Sequence, residues 1–174
     1  MRLFVAINLS DETRWRLVSL RDELQQNSSR GSFSRSENIH LTLLFLGECS
    51  DAQAAAAKAA MYETEFDPFT MTMDRTGTFR RYGTGTLWWA GIKKCEPLEK
   101  LYHELSQRTA SKGLLTEGRK YSPHITFARD VITKMQPKQI EPFTESVTSI
   151  DLMRSERIND KLTYSPLYKK KATE

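Results

Sequence analysis

Cysteine is scarce and unpatterned in this chain. Cys49 and Cys95 are the only two in 174 residues, and neither sits in a Cys-x-x-Cys or Cys/His ligand spacing. That spacing excludes a disulfide framework and argues against a structural zinc site. Long apolar runs are also missing: nothing approaches the roughly 18 consecutive apolar residues of a membrane-spanning helix. The opening Met1-Arg2-Leu3-Phe4-Val5-Ala6-Ile7 meets polar Asn8 too soon for the apolar core of a secretory signal. The expectation is a cytoplasmic protein with no membrane association and reduced, unreactive thiols. Histidine is rare as well, three residues in all.

What is present suits an independently folding protein. Hydrophobic residues make up 39% of the chain, enough for a core without covalent staples. The net charge of +4 and isoelectric point near 9.1 favour anionic partners, although so small an excess speaks first to solubility. Its placement is more telling. Arg75, Arg80, Arg81, Lys93, Lys94, Arg119, Lys120 and Arg129 fall near the ends of expected strands or between them, while Lys169-Lys170-Lys171 reads as a solvated surface run.

The two-residue and 3.6-residue periods outline the elements. Leu3 to Ile7 reads as a strand, and Ser10-Asp11-Glu12 as the start of a helix reaching Gln26, with Leu17, Leu20 and Leu24 on its buried stripe. The polar stretch Asn27 to Ser32 reads as a loop. A strand from Ile39 to Leu46 follows, with Ile39, Leu41, Leu43 and Phe45 on one face and His40, Thr42, Leu44 and Leu46 on the other. Ser50 and Gln53 fit a capping box ahead of the Ala-rich helix from Ala52 to Met61. The second half loosely repeats this order. A strand with Phe69, Met71 and Met73 on one face precedes a Gly/Arg-rich loop, then the strand Thr86 to Ile92, a helix entered at Pro97 and left at Gly113, and a loop from Gly118 to Pro123. After the second histidine strand come a weak segment from Thr133 to Phe143 and strands around Val147 to Met153 and Leu162 to Tyr168. No linker separates the halves, so residues 1–174 are expected to form one mixed α+β domain with an internal pseudo-repeat.

Two of the histidines carry the same phrase. His40-Leu41-Thr42-Leu43 and His124-Ile125-Thr126-Phe127 lie 84 positions apart (124 − 40). In each strand the imidazole and the Thr hydroxyl project from one face. An imidazole titrates near neutrality, so one can accept a proton while a second donates one. A Thr hydroxyl beside it can bond an oxygen that gains charge in a transition state. Two such units facing a common cleft suit in-line phosphoryl chemistry. A single His-x-Thr on a strand is more often structural, because both residues are tolerated on half-buried sheets. The repetition in matching strand phase is what favours the chemical reading. His103 serves as the contrast: it lies with Glu99, Lys100 and Gln107, away from the Leu98, Leu101 and Leu105 stripe, and reads as surface.

At these residues the chain resembles the two-histidine phosphoesterase superfamily, and more narrowly the RNA 2′,3′-cyclic phosphodiesterases formerly called 2′-5′ RNA ligases. The likeness extends from Arg2-Leu3-Phe4-Val5-Ala6-Ile7 through His40 to Gly47, Thr86 to Ile92 and Tyr121 to Arg129, to the closing strands with Ser155 and Tyr164. It implies a bilobed α+β fold, two pseudo-two-fold related antiparallel sheets packed by helices around a central groove. It also implies cofactor-free and metal-free hydrolysis of an RNA terminal 2′,3′-cyclic phosphate to a 2′-phosphate by a monomer, with tRNA fragments among the candidate substrates. The same resemblance carries over His40 as the acid, His124 as the base, and Thr42 and Thr126 as phosphate clamps. Reversal would join RNA ends in a 2′-5′ linkage. Relatives commonly place a further basic residue soon after the Ala-Arg of the second motif, but Arg129 is followed by Asp130, Val131, Ile132 and Thr133. RNA contacts are therefore expected from Arg129, Arg119 and Arg80, with Arg81 and Lys120 as further candidates. Phe127 stands where an aliphatic residue is usual. Among the aromatics, Phe4, Trp88, Trp89 and Tyr121 could stack a base, although core packing is the default for most of them. Two other readings stay open: a cyclic phosphodiesterase for small nucleotides, and a non-catalytic module that binds RNA ends or phosphate.

Overall fold

In the computed structural model, residues 1–81, 85–114 and 120–174 are described. Arg119, the side chain of Arg81 and part of the loop expected over Gly118 to Pro123 lie outside them. The chain runs β1 (Arg2–Asn8), α1 (Asp11–Gln26), β2 (Ser28–Phe33), a single 3-10 turn (Ser36–Asn38), β3 (His40–Glu48), α2 (Asp51–Glu63), β4 (Phe69–Arg81), β5 (Gly85–Ile92), α3 (Glu96–Ser111), β6 (His124–Thr133), β7 (Gln139–Val147), β8 (Ser149–Ile158) and β9 (Lys161–Lys171). Among the described residues, no helix is long and apolar enough to cross a membrane.

The helices begin and end where local chemistry directs. The Ser10 side chain accepts from the backbone N–H of Thr13, and Asp11 and Glu12 face the positive end of α1. Ser50 and Gln53 close the expected reciprocal capping box at α2. Pro97 occupies the first turn of α3, and Gly113 leaves that helix at φ 81°.

All sheet pairings are antiparallel. One sheet has the order β3-β1-β8-β9 and the other β2-β6-β5-β4-β7. Each histidine strand thus pairs with a central strand of its own sheet, β3 with β1 and β6 with β5. The two sheets approach one another along β3 and β6. Helix α1 lies against β2, β6 and β7, while α2 and α3 pack on each other and reach β9, β3 and β4. One continuous core includes Leu3, Val5, Leu41, Met71, Leu98, Leu101, Ile125 and Phe127, all 2% exposed or less. A small separate cluster of Phe4, Ala6 and Met153 covers the other face of the first sheet, with Tyr164 packed on it. The expected bilobed α+β architecture is the one observed.

Three departures from the sequence reading have physical causes. Ser28–Phe33 is a strand where a loop is expected: it lies at a sheet edge, pairs only with β6 and is largely exposed, so its backbone ladder forms without an apolar face. Strand β4 runs on to Arg81 through the expected Gly/Arg-rich loop, because β5 pairs with it as far as Gly85. The weak segment ending at Phe143 becomes β7, the edge strand against β4. The basic run at the C-terminal end is also tied in: Lys169 pairs with nearly buried Asp151 at 3.1 Å and Lys170 with Glu65 at 2.9 Å.

Candidate active site

His40 and His124 open their strands under the same local restraint. The Nδ1 of His40 lies 2.7 Å from the carbonyl oxygen of Asn38, and that of His124 lies 2.8 Å from the carbonyl oxygen of Ser122. A carbonyl only accepts, so Nδ1 must carry the hydrogen in both rings. This fixes the neutral tautomer and leaves the Nε2 lone pair toward the groove. The His40 Nε2 stands 2.9 Å from the Thr42 hydroxyl. Among the described residues, His124 Nε2 has no equivalent bond to Thr126.

His40, Thr42, His124 and Thr126 line one cavity of about 190 Å³, together with Arg129 and Tyr164. The structure therefore brings together both expected His-x-Thr units and Arg129. Arg80 is placed differently. It pairs with Thr86 and shares the face of Thr78 and Trp88, while Phe79, on the opposite face, meets the His124 ring at 5.0 Å. His103 is exposed on α3, as expected.

Burial pushes both imidazoles below the ordinary histidine range. The backbone bonds to Asn38 and Ser122 oppose that shift, and the Arg129 guanidinium adds to it at both rings, with Arg14 contributing at His40. One cation thus acts electrostatically on both rings. Burial likewise raises the Tyr164 phenol, which keeps its proton and remains a donor. Aromatic rings hold each imidazole. Phe4 and Tyr164 lie 4.9 and 5.2 Å from His40, and Phe79 and Trp89 lie 5.0 and 6.2 Å from His124. Gly77 makes room on the second side, since a Cβ there would fall 2.2 Å from the Trp89 indole. Of the four aromatics considered from sequence, Phe4 and Trp89 flank the histidines. Trp88 is buried, and Tyr121 stacks on Tyr102 at 4.0 Å while donating to the Thr42 carbonyl at 3.1 Å.

The strand phase expected after the first motif fails, and the second strand slips at the same place. Ala6 pairs with Thr42 but Val5 with Leu44, leaving Leu43 as an extra residue; Trp89 pairs with Thr126 but Trp88 with Ala128, leaving Phe127. Each is a β-bulge three positions after the histidine, and it inverts the alternation beyond it. Leu44 and Ala128 consequently turn into the core. Phe45 and Arg129, both five positions after their histidines, turn out toward the groove. The expectation that Phe45 shares the core face of Leu41, and that Leu44 shares the His40 face, is corrected accordingly. A signal was available: Leu43-Leu44 and Phe127-Ala128 are adjacent apolar pairs that interrupt strict alternation at equal offsets. Arg2, Asn38 and Arg157, which also border the groove or brace His40, carry no comparable mark in the sequence.

The chain is similar to known proteins. Residues 7–89 match the family described as LigT like Phosphoesterase. The chain is 30% identical over 149 residues to the RNA 2′,3′-cyclic phosphodiesterase of Thermotoga maritima, covering 84% of this chain and 78% of that protein. It is 29% identical over 168 residues to the protein of the same name from Escherichia coli, covering 95% and 93%. The crystal structure of E. coli LigT complexed with 3′-AMP superposes with a TM-score of 0.86 at 29% identity, over 99% of this chain and 98% of that one.

Proposed function

This chain belongs to the LigT-like phosphoesterases, and from that premise we propose that it opens RNA terminal 2′,3′-cyclic phosphates to 2′-phosphates by paired-histidine acid and base catalysis. The single observation that carries this reading is the pair of imidazoles, each with Nδ1 bonded to a carbonyl two residues back, on one cavity that also holds both threonines and Arg129.

In the free protein both rings are held toward neutrality by burial and by Arg129. An anionic phosphate beside Arg129 offsets that guanidinium and raises both rings, so one of them takes up a proton as substrate binds. With His40 protonated, its Nε2–H points at the leaving 3′ oxygen. His124 Nε2 removes a proton from water on the opposite side of phosphorus. The water oxygen bonds to phosphorus as the bond to the 3′ oxygen breaks; His124 gains a proton, His40 gives one up, and the products are a 2′-phosphate and a 3′-hydroxyl. Thr42, which bonds His40 Nε2 at 2.9 Å in the free protein, turns its hydroxyl to a phosphate oxygen and thereby frees that nitrogen. Thr126 serves a second oxygen. An RNA 5′-hydroxyl in place of the water gives a 2′-5′ phosphodiester by the same steps.

The test is incubation of the purified protein in EDTA with a short RNA ending in a 2′,3′-cyclic phosphate, followed by identification of the product isomer. A 2′-phosphate is the expected product. A 3′-phosphate, or complete loss of turnover on chelation, overturns the reading.

A further inference from the structure

The groove continues from the central cavity onto two flanks of unlike charge. Beside His40 lies a cavity of about 490 Å³ whose walls include the cations Arg2, Arg129 and Arg157. Beside His124 lies one of about 300 Å³, bordered mainly by apolar and aromatic side chains, with Lys120 as its cation among the described residues; Phe45 borders both cavities, so what distinguishes the His40 side is the set of Arg2, Arg129 and Arg157. The one carboxylate on the His40 flank, Glu156, is paired with Arg154 at 3.1 Å. Both volumes are adequate for a nucleoside-sized ligand, so size alone does not choose between them.

The first sheet builds the His40 flank in rows across its strands. Phe45 pairs with Phe4 and Phe4 with Met153; Arg2 pairs with Ser155 and Ser155 with Tyr164; beyond them Arg157 pairs with Leu162. The bulge at Leu43 puts Phe45 on this surface, 38% exposed, with the Arg2 guanidinium 5.1 Å from its ring centroid. At the equivalent position of the other half stands Arg129, a cation rather than a ring. The phosphate therefore has a charged neighbour on one motif and an aromatic platform on the other, and the pseudo-two-fold is broken where a nucleotide would be read.

We infer that the RNA strand bearing the cyclic phosphate lies across the His40 flank, with its terminal base on the Phe45 and Arg2 platform and its next phosphodiester at Arg157. This orientation rests on the phosphodiesterase reading and deepens it. It puts the ribose, and hence the leaving 3′ oxygen, on the side of His40, and it leaves the smaller flank beside His124, which is the less basic one among the described residues, to water or to an incoming 5′-hydroxyl. Stacking on an aromatic ring tolerates any base, so the platform binds RNA ends with little sequence preference.

The experiment compares Arg157→Ala, Lys120→Ala and Phe45→Leu with the unaltered protein on three substrates: a short RNA with a cyclic phosphate end, a mononucleotide 2′,3′-cyclic phosphate, and ribose 2′,3′-cyclic phosphate without a base. Arg157→Ala is expected to lower kcat/KM on the RNA about tenfold more than on the mononucleotide, through KM. It should also reduce the salt slope of RNA binding by about 0.7. Phe45→Leu is expected to lower kcat/KM on the mononucleotide about tenfold more than on the base-free compound. A larger RNA-specific loss in Lys120→Ala than in Arg157→Ala, or an equal loss with and without the base in Phe45→Leu, overturns the orientation. If the unaltered protein turns over none of the three, the phosphodiesterase reading is what fails. Binding of a 2′-phosphate-ended RNA at graded salt then ranks Arg157→Ala against Lys120→Ala without turnover.

Discussion

Around His40 the imidazole is flanked by Phe4 and Tyr164 and its Nε2 engages Thr42, whereas around His124 it is flanked by Phe79 and Trp89 and Thr126 stands apart. The strands beneath them are alike. Both begin at the histidine, both fix Nδ1 on a carbonyl two residues back, and both bulge after the third position. The carbonyl that holds His40 belongs to Asn38, whose side chain donates to the Leu162 carbonyl at 2.9 Å, and the guanidinium of Arg35 donates to that same carbonyl. The β8–β9 hairpin, turning through Asn159 and Asp160 at φ 51° and 62°, thus braces the first half-site. The shared backbone restraint on Nδ1 leaves Nε2 of each ring suited to moving protons. The unlike surroundings are the basis of the proposed substrate orientation.

The strongest way to break that comparison is to remove one ring at a time. On the proposed mechanism, His40→Ala and His124→Ala are each expected to lower kcat by about 10² to 10⁴, and the double variant should be little worse than either, as for two groups that act as a unit. Single-turnover rates on a cyclic-phosphate RNA check this. If one variant kept near-normal kcat, only one half-site would be moving protons.

A milder perturbation touches only the His124 side. In Gly77→Ala the new methyl would overlap the Trp89 indole at 2.2 Å, and Trp89 and Phe79 rest against each other 5.2 Å apart as well as against His124. We expect roughly a tenfold loss of kcat, with a shift in tryptophan emission and little change in KM. Unchanged emission and unchanged kcat would show that the indole does not position the ring.

The smallest effect concerns pH. Since burial and Arg129 hold both free rings below the ordinary histidine range, kcat/KM, which reports the free protein, should peak on the acid side. As pH falls, both rings become protonated and the base is lost; as pH rises, both become neutral and the acid is lost. Bound phosphate offsets Arg129 and raises both rings, so the kcat profile should peak at higher pH than the kcat/KM profile, and each limb belongs to the coupled pair. Coincident profiles would remove Arg129 from this role.

Much of the site could be read in the chain. Alternation in Ile39 to Leu43 and in His124 to Phe127 put each His and its Thr on one face, and the caps at Ser10 and Ser50 set α1 and α2. Edge strands were less legible. Ser28–Phe33 has almost no apolar character, and only its ladder with β6 makes it a strand, beside Ala128 and Arg129. Arg80 illustrates the other difficulty. A cation near the groove in sequence can still lie on the opposite face of β4, because a strand changes sides at every residue.

The amino-acid order by itself determined the two His-x-Thr faces and the helix boundaries, since those follow from periodicity and from chemistry within a few residues. Only the tertiary structure decided that β3 and β6 meet, that a bulge in each exchanges core for groove at Phe45 and Arg129, and that the flanks differ in charge among the described residues. Pairing between strands sets register, and register depends on which distant backbone supplies the partner.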